Sequence, residues 1–243
     1  MLAWIGIAVL TFVLLSLGSV LALRYVAPIS SSFMIREGAA AWFAADPRPW
    51  QLRYQWRSVR DISPQLAIAV VASEDQRFPL HRGFDVRAIR KALADAEDGG
   101  RARGASTISQ QVAKNLFLWS GRSFVRKGLE AWFTVLIEWL WPKQRILEVY
   151  LNIAQFGRGI YGAQAASSVF FQKDARALDA GDAALLAAVL PNPVRLRADR
   201  PSDYVQRRQR EIQEQVRTLG GPAWLRGAWV SSASQAPRPA APE

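Results

Sequence analysis

Two short segments of the chain combine the residue types needed for acid–base chemistry on a phosphate-bearing substrate. The segment 74–83 begins with a pair of carboxylates, Glu74 and Asp75. The segment 104–115 offers a Gly-x-Ser-Thr helix start, amide side chains and, one turn further on, an ammonium group. A carboxylate can serve as a general base, and a helix start beside a cation can bind an anion. The sequence therefore predicts a base working next to an anion-binding surface.

The start of the second segment has the pattern of a helix N-terminus. Thr107 and Gln110 have the Thr-x-x-Gln spacing of a capping box, so we expect a helix to open at residue 107. The first amides of a helix lack intrahelical partners and lie at its positive end, so we expect them to face the anion. Gln110 and Lys114 are four residues apart and share one face of this helix.

The helix that carries the carboxylate pair is predicted to be buried. Ser63 as N-cap and Pro64 in the first turn are a favourable helix start. Residues 66–72 are apolar on nearly every face, as in a helix surrounded by protein. Glu74 and Asp75 fall at its C-terminal end, where the helix dipole disfavours a negative charge. A carboxylate in this place indicates a functional role.

Helical patterns occupy most of the remaining chain, and no segment alternates as a strand does. Helices are predicted from Asp85 to near Gly99 and over 124–141, 146–152, 160–171, 180–190 and 203–219. Residues 98–105 are expected to form a mobile basic loop, and the Ser/Ala/Pro-rich tail 231–243 is expected to be disordered. The predicted fold class is all-α.

Composition excludes several kinds of chemistry. The chain has 243 residues, no cysteine and one histidine, so thiolate chemistry, disulfides and a multi-histidine metal site are ruled out. A Ser-His-Asp triad would have to use His81, and no Gly-x-Ser-x-Gly element accompanies it. The length suits one domain, organised in one or two lobes.

The N-terminus is predicted to be a retained transmembrane anchor. Residues 1–23 carry no charge, and Leu2 to Leu23 is long enough to cross a hydrocarbon core of ~30 Å. No small-x-small cleavage site closes this stretch. Arg24 and Arg36 follow the span and no cation precedes it, so the positive-inside rule taken alone would keep the domain in the cytoplasm.

The net charge of +11 therefore belongs to the part of the chain after the anchor. A basic domain tethered to a bilayer is expected to contact anionic headgroups and phosphate-bearing substrates. Nucleic acid is not expected as a partner, because no nucleic-acid-binding motif is present. We divide the chain into the anchor 1–23, a membrane-proximal segment 24–60, a catalytic domain 61–225 and the tail 231–243. Trp42, Trp50 and Trp56 of the second segment either sit at the membrane interface or fill core.

Five motifs, in order, resemble those of the peptidoglycan glycosyltransferases, glycosyltransferase family 51. The first two are Glu-Asp-x-x-Phe-x-x-His-x-Gly at 74–83 and Gly-x-Ser-Thr-Ile-x-x-Gln-x-x-Lys-Asn at 104–115. The others are Arg-Lys-x-x-Glu at 126–130, Ile-Leu-Glu-x-Tyr-Leu-Asn at 146–152 and the run from Gly157 to Lys173. The resemblance covers roughly residues 60–195 and is closest to the monofunctional members, since too little chain follows for a transpeptidase domain. Ala105 and Asp182 replace the usual Gly and Glu, and neither change removes a group that the mechanism needs.

The resemblance implies a lysozyme-like, two-lobed fold and a defined reaction. Such enzymes polymerise lipid II into β-1,4 glycan strands, with inversion and release of undecaprenyl diphosphate. The resemblance implies a single-pass protein of the bacterial inner membrane with its catalytic domain on the periplasmic side, which the flanking charges do not support. The implied partners are lipid II, the growing glycan strand and the membrane, together with other cell-wall synthesis or division proteins.

The resemblance also assigns roles to individual residues. Glu74 matches the catalytic base, and Glu130 matches a second catalytic glutamate. Glu130 either orients basic side chains, helps to hold a divalent cation, or forms a structural salt bridge with Arg126. Asp75 is expected to orient its neighbours, and His81 to make a structural hydrogen bond. The implied substrate-binding residues are Asp75, Ser106, Thr107, Gln110, Lys114, Arg122, Arg126 and Lys127.

The sequence requires no cofactor and assigns no metal ligands. The substrate's own diphosphate could recruit Mg²⁺ or Mn²⁺ with little help from the protein. Glu148, Tyr150 and Asn152 are expected to position the core. Two other functions remain open: a lysozyme-like lytic enzyme that cuts the same glycan with its glutamate as an acid, and a non-catalytic scaffold in the cell-wall machinery.

Overall fold

The computed structural model describes residues 1–43, 50–97, 106–121 and 123–234. Within these ranges the chain is mostly helical, which confirms the predicted fold class. The helices are α1 (Leu2–Tyr25), α2 (Ser32–Phe43), α3 (Pro64–Glu74), α4 (Val86–Glu97), α5 (Ile108–Phe117), α6 (Phe124–Leu140), α7 (Lys143–Ile153), α8 (Ala163–Phe171), α9 (Ala180–Val189), α10 (Asp203–Leu219) and α11 (Gly221–Ser234). Three 3₁₀ turns join them, at Val59–Asp61, Phe78–Leu80 and Ala175–Ala177.

The end of the chain differs from the prediction at one point. Residues 231–234, which were expected to begin a disordered tail, are the last turn of α11. A helix is possible there because the first proline of the tail is Pro237. The rest of the predicted tail, residues 235–243, lies outside the described residues, as does the predicted basic loop 98–105.

A small sheet that the sequence did not predict joins two distant parts of the chain. It contains β1 (Arg53–Tyr54), β2 (Gln155–Gly157) and β3 (Ile160–Tyr161) in the order β1-β3-β2. β1 is parallel to β3, and β2 is antiparallel to it. Strands of two or three residues are too short to show an alternating pattern, which is why the sequence analysis missed them.

Two glycines allow the backbone to turn through this sheet. Gly159 has φ +69°, and a Cβ there would lie 2.4 Å from the carbonyl oxygen of Gln51. Gly162 has φ +83°, and a Cβ there would lie 2.4 Å from the carbonyl oxygen of Asn152. Any side chain would clash with backbone at both positions, so the Gly-x-Gly-x-x-Gly spacing of the fifth motif has a structural cause.

Helix α3 is the centre of one group of helices. Its residues Leu66 to Ala72 are all buried, because α9, α10 and α11 pack around it. Ser63 caps its start by accepting a hydrogen bond from the amide of Gln65, and its hydroxyl also donates to the carbonyl of Leu178 at 2.6 Å. The predicted buried helix is therefore confirmed, and its last residue is Glu74.

A second group of helices forms around α5, which packs against α6 and α7. Its core face carries Ile108, Val112 and Leu116, as its periodicity predicts. Phe117 at the end of α5 stacks on Phe133 of α6, with ring centroids 4.3 Å apart. The first group therefore presents the end of α3, and the second presents the polar face of α5.

The N-terminal helix α1 is long and apolar enough to cross a membrane, which is compatible with an anchor. Its second half packs along α6. The indole nitrogen of Trp132 donates to the hydroxyl of Ser16 at 3.1 Å, and the rings of Phe12 and Trp132 are 6.1 Å apart. The first half, including Trp4 and Ile7, is exposed.

The C-terminal end of α1 is hydrogen-bonded to the end of α6 and to the start of α7. Arg24 donates to the carbonyl of Leu140 at 2.6 Å. Arg145 donates to the carbonyls of Leu23 and Val26 at 2.8 and 2.7 Å. Carbonyls at helix ends lack intrahelical partners and favour cations, so Arg24 of α1 serves the end of α6 and Arg145 of α7 serves the end of α1.

Arg145 also connects this junction to the fourth motif. It pairs with Glu148 at 2.6 Å, and the other carboxylate oxygen of Glu148 accepts from the amide of Val59 at 2.8 Å. Its guanidinium lies 5.0 Å from the ring centroid of Trp56. The structural role expected for Glu148 is consistent with these contacts.

The described part of residues 24–60 packs directly onto later helices and strands of the chain. Ser32 of α2 donates to the carbonyl of Leu118 at 2.6 Å, and Glu37 of α2 accepts from the hydroxyl of Tyr161 at 2.6 Å. Its tryptophans behave differently from one another: Trp42 is exposed, whereas Trp56 is partly buried.

Replacement of Arg145 by alanine is expected to destabilise the protein by about 3 kcal/mol. The change removes the donor for two helix-end carbonyls and leaves the mostly buried Glu148 without its cationic partner. The measurement is thermal unfolding of the detergent-solubilised full-length chain. Arg217→Ala is the matched control, because the Arg217–Glu214 pair is exposed and should be worth less than about 1 kcal/mol. Equal effects of the two variants would contradict the proposed junction.

Candidate active site

A cleft of about 300 Å³ lies where the end of α3 meets the start of α5. Glu74 and Asp75 line it from α3, and Ser106 and Thr107 line it from the start of α5. The other lining residues are mostly charged and come from the segment 76–91: Gln76, Arg77, Asp85, Arg87, Ala88 and Lys91. The structure thus brings together the two segments that the sequence analysis singled out.

Glu74 is partly buried at this cleft, and its carboxylate accepts a hydrogen bond of 2.8 Å from Nε2 of Gln111. Burial raises the pKa of Glu74 above its ordinary value. The hydrogen bond from Gln111 and the charges of Arg208 and Lys114 oppose this rise, while Asp75 adds to it. A carboxylate with a raised pKa is a stronger base than an exposed glutamate, provided that it remains ionised.

Asp75 faces the interior and ties three segments together. Both of its carboxylate oxygens lie 3.0 Å from Nε2 of His81, and one of them accepts from the backbone amide of Ile108 at 3.0 Å. Its side chain is only 3% exposed. These contacts are what the expected orienting role of Asp75 and structural hydrogen bond of His81 require.

The predicted capping box at the start of α5 is confirmed. The hydroxyl of Thr107 accepts from the amide of Gln110 at 3.2 Å, and the side-chain oxygen of Gln110 accepts from the amide of Thr107 at 2.9 Å. The hydroxyl of Thr107 also donates to the carbonyl of Gly83 at 2.6 Å. Thr107 therefore fixes α5 against the loop that follows Asp75.

The expectation that this helix start offers free amides to an anion does not hold for three of its amides. The amides of Thr107, Ile108 and Gln110 are bonded to Gln110, Asp75 and Thr107, respectively. The capping box and the carboxylate of Asp75 have taken the place that an anion would occupy. Anion binding at this site must therefore come chiefly from cationic side chains.

The choice of Gln110 as a substrate-binding residue is also not supported by the geometry. Gln110 is buried and serves as part of the cap, whereas Gln111 is the glutamine that contacts Glu74. The signal was present in the sequence, because the fixed glutamine of the second motif falls at 111. Gln111 and Lys114 are also three residues apart and share a face of α5.

Lys114 is influenced by the charges of both Glu74 and Glu130. Burial lowers its pKa, Glu130 and Glu74 raise it, and Arg126 and Lys127 lower it. Its ammonium group is 5.5 Å from the ring centroid of Phe33 of α2. Lys114, Arg126 and Lys127 form a cationic cluster, which the sequence predicted as part of the anion-binding surface.

Glu130 is buried beneath this cluster. It pairs with Arg126 at 2.7 Å and with Lys127. Each carboxylate oxygen therefore has a cationic partner, and of the three roles left open for Glu130 this arrangement fits two: a salt bridge with Arg126 and the orientation of basic side chains. Within the described ranges no group of three or more His, Cys, Asp or Glu side chains could hold a metal ion.

The remaining predicted site residues are placed as follows. Ser106 is exposed at the edge of the cleft. Arg122 lies outside the described residues, and so does Ala105 of the second motif.

Sequence reasoning missed several residues that the fold brings to the site. The positive charge of Arg208 of α10 lowers the pKa of Glu74 against the effect of burial. Arg208 also donates weakly to the carbonyl of Ser73 at 3.5 Å. No local pattern reveals this, because α10 reaches Glu74 only through its packing on α3. Arg77, Arg87 and Lys91 line the cleft and could have been suspected from their closeness in sequence to the first motif.

The comparisons with known proteins identify the family of the chain. The family model described as transglycosylase matches residues 40–217, so the chain belongs to the transglycosylase family. A biosynthetic peptidoglycan transglycosylase of Xanthomonas euvesicatoria pv. vesicatoria is 57% identical over 226 residues, which cover 93% of this chain and 91% of the relative. Proteins with the same description from Xylella fastidiosa and Pseudomonas entomophila are 53% and 52% identical, over 90% of this chain and 90% and 92% of their own lengths.

Alanine substitutions of Gln110 and Gln111 are expected to have different effects, the first on thermal stability and the second on activity. Gln110→Ala should destabilise the protein by about 1 kcal/mol, since it opens the capping box, and should leave Glu74 in place. Gln111→Ala should change thermal stability little and lower glycosyltransferase activity. Thermal unfolding and initial rates measured on both variants test this. An inactive, stable Gln110→Ala protein beside an active Gln111→Ala protein would reverse the assignment.

Proposed function

We propose that this chain polymerises lipid II, with Glu74 as the general base that activates the acceptor hydroxyl. The chain is a peptidoglycan glycosyltransferase, as its family and relatives establish. The observation that supports Glu74 as the base is its position, half-buried at the cleft with a raised pKa and with Lys114 near enough to favour its ionised form.

The reaction is a single displacement with inversion. The 4-hydroxyl oxygen of the acceptor sugar attacks the anomeric carbon of the donor, whose bond to the diphosphate oxygen breaks. Glu74 takes the proton of the hydroxyl as the new bond forms, and the diphosphate leaves with the electron pair. Both ends of this reaction therefore need the protein: a base for the proton and positive charge for the leaving group.

The cationic cluster of Lys114, Arg126 and Lys127 supplies the charge for the leaving diphosphate. Lys114 is largely enclosed by protein, where an ion pair with phosphate is stronger than in water. The two bonds to Glu130 fix where Arg126 and Lys127 can point. We include Arg122 in this set because of the motif resemblance alone.

The two alternative functions are not favoured. A lytic enzyme acting on finished glycan would release no diphosphate, so it would not need the cationic cluster of Lys114, Arg126 and Lys127. A scaffold would not need a glutamate with a raised pKa at a cleft. The transglycosylase family of the chain agrees with both arguments.

We place the protein in the inner membrane as a single-pass protein with its catalytic domain on the periplasmic side. The support is the apolar helix α1 and the exposed Val135 and Trp139 on α6, the helix that packs along it. Arg24, which favoured the cytoplasmic side in the charge count, has a structural reason for its position because it donates to Leu140. Contact with other cell-wall synthesis or division proteins stays a prediction.

Any divalent cation is proposed to be held by the diphosphate of the substrate and not by the chain. The described residues offer no acidic cluster, and Glu130 is already neutralised by two cations. We expect activity to persist, at about one tenth or more of the full rate, when a chelator removes divalent ions, because the cationic cluster remains. Rates measured with chelator, Mg²⁺ and Mn²⁺ test this, and complete loss that either ion restores would contradict it.

Replacement of Glu74 by glutamine is expected to lower the polymerisation rate by ~10²- to 10⁴-fold, the usual contribution of a general base. The measurement is the formation of long glycan from purified lipid II by the detergent-solubilised full-length protein. Glu74→Gln keeps the size of the side chain, so thermal unfolding should show a folded protein.

A second variant, an assay for lysis and one contradicting outcome complete this test. Glu130→Gln should lose activity together with thermal stability, because it removes the partner of Arg126 and Lys127. Lysis of preformed glycan by the wild-type protein would support the lytic alternative. A fully active Glu74→Gln variant would overturn the role of Glu74.

A further inference from the structure

A buried tyrosine from the fourth motif reaches the catalytic carboxylate through one intermediate residue. Tyr150 of α7 is 1% exposed, and its hydroxyl lies 3.2 Å from Oε1 of Gln111. Nε2 of the same Gln111 side chain lies 2.8 Å from the carboxylate of Glu74. The three side chains therefore form a chain of hydrogen bonds that joins α7, α5 and α3.

Only one arrangement of hydrogen atoms satisfies all three groups. An ionised Glu74 can only accept hydrogen bonds, so the amide nitrogen of Gln111 must face it. The amide oxygen then faces Tyr150, whose hydroxyl must be the donor. Burial, together with the charges of Glu74 and Asp75, raises the pKa of Tyr150 well above its usual value, so the phenol keeps this proton.

We propose that Tyr150 is a positioning residue for catalysis: its hydroxyl fixes the amide of Gln111 in the orientation that donates to Glu74. Without this hydroxyl, the amide of Gln111 could rotate and turn its oxygen toward the carboxylate. Glu74 would then lose a donor and face a partial negative charge. The inference rests on the proposed role of Glu74 as the base.

The donor from Gln111 matters because the other groups around Glu74 partly cancel. Arg208 of α10 and Lys114 of α5 favour the ionised carboxylate, whereas burial and Asp75 oppose it. In the same cleft Arg77, Arg87 and Lys91 are balanced in part by Asp85. The hydrogen bond from Gln111 opposes the effect of burial more than either of the nearby cations does. Its loss should therefore be visible in the pH dependence of the reaction.

The test is Tyr150→Phe, which removes one oxygen atom and keeps the ring in the core. We expect kcat at neutral pH to fall about tenfold and KM for lipid II to change little, because Tyr150 does not line the cleft. The acidic limb of the rate profile, which reports the ionisation of Glu74, should move to higher pH by about one unit. This is the shift expected for losing one hydrogen bond to a charged group.

A double-mutant cycle identifies the path of the effect. Gln111→Leu should lower kcat and shift the profile in the same direction, and Tyr150→Phe should add almost nothing in its presence. Additive losses would show that Tyr150 acts on the reaction by another route, which would overturn the proposal.

Tyr161→Phe is the matched control. Tyr161 is as buried as Tyr150, but its hydroxyl donates to Glu37 of α2 instead of to the site. It should leave the pH profile in place even if the thermal stability falls. A profile that Tyr150→Phe leaves unmoved, with a folded protein, would make Tyr150 a structural residue only.

The outcomes separate this inference from the function on which it rests. If Glu74→Gln abolishes polymerisation and Tyr150→Phe has the wild-type pH profile, only the positioning role fails. If Glu74→Gln is active, the proposed base itself is wrong, and any effect of Tyr150→Phe needs another explanation.

Discussion

The candidate active site depends on the buried carboxylate of Asp75. It accepts from His81 and from the first amide of α5, and so it fastens the end of α3 to the start of α5. Glu74 is the preceding residue, and the same contact brings it to Gln111. The proposed base comes from one helix group and the cationic cluster from the other, so the two can act together only while this joint holds. The two adjacent carboxylates thus divide the work: one positions and the other faces the cleft.

A second constraint is the balance of charge in a site that must hold a base close to cations. Burial raises the pKa of Glu74, which makes this proposed base stronger but also favours its protonated form. Lys114 and Arg208 offset that cost, and Gln111 adds a neutral donor that does not compete for the diphosphate. Glu130 has the complementary task, because it holds Arg126 and Lys127 near Lys114 despite their mutual repulsion.

Helix α1 is joined closely to the helices that pack against its C-terminal end. Arg24 of α1 donates to the carbonyl of Leu140 at the end of α6, and Arg145 of α7 donates to the carbonyl of Leu23 near the end of α1. Arg145 also pairs with Glu148 of the fourth motif. Tyr150 lies on the same helix as Glu148. Helix α7 therefore supports both the end of α1, through Arg145, and the side chain of Gln111, through Tyr150.

The sequence alone determined the helices, including the long apolar helix at the N-terminus, and the pair of segments that meet at the cleft, because periodicity, capping residues and motif spacing are local properties. It did not reveal that Asp75 would accept a hydrogen bond from the amide of Ile108, or that Gln111 and not Gln110 would contact Glu74. It also did not reveal that the charge of Arg208 would act on Glu74. It also missed the short sheet that joins Arg53 and Tyr54 to Ile160 and Tyr161. These features were decided by the tertiary structure, since hydrogen-bond partners and buried charges depend on which distant side chains packing brings within about 3 Å.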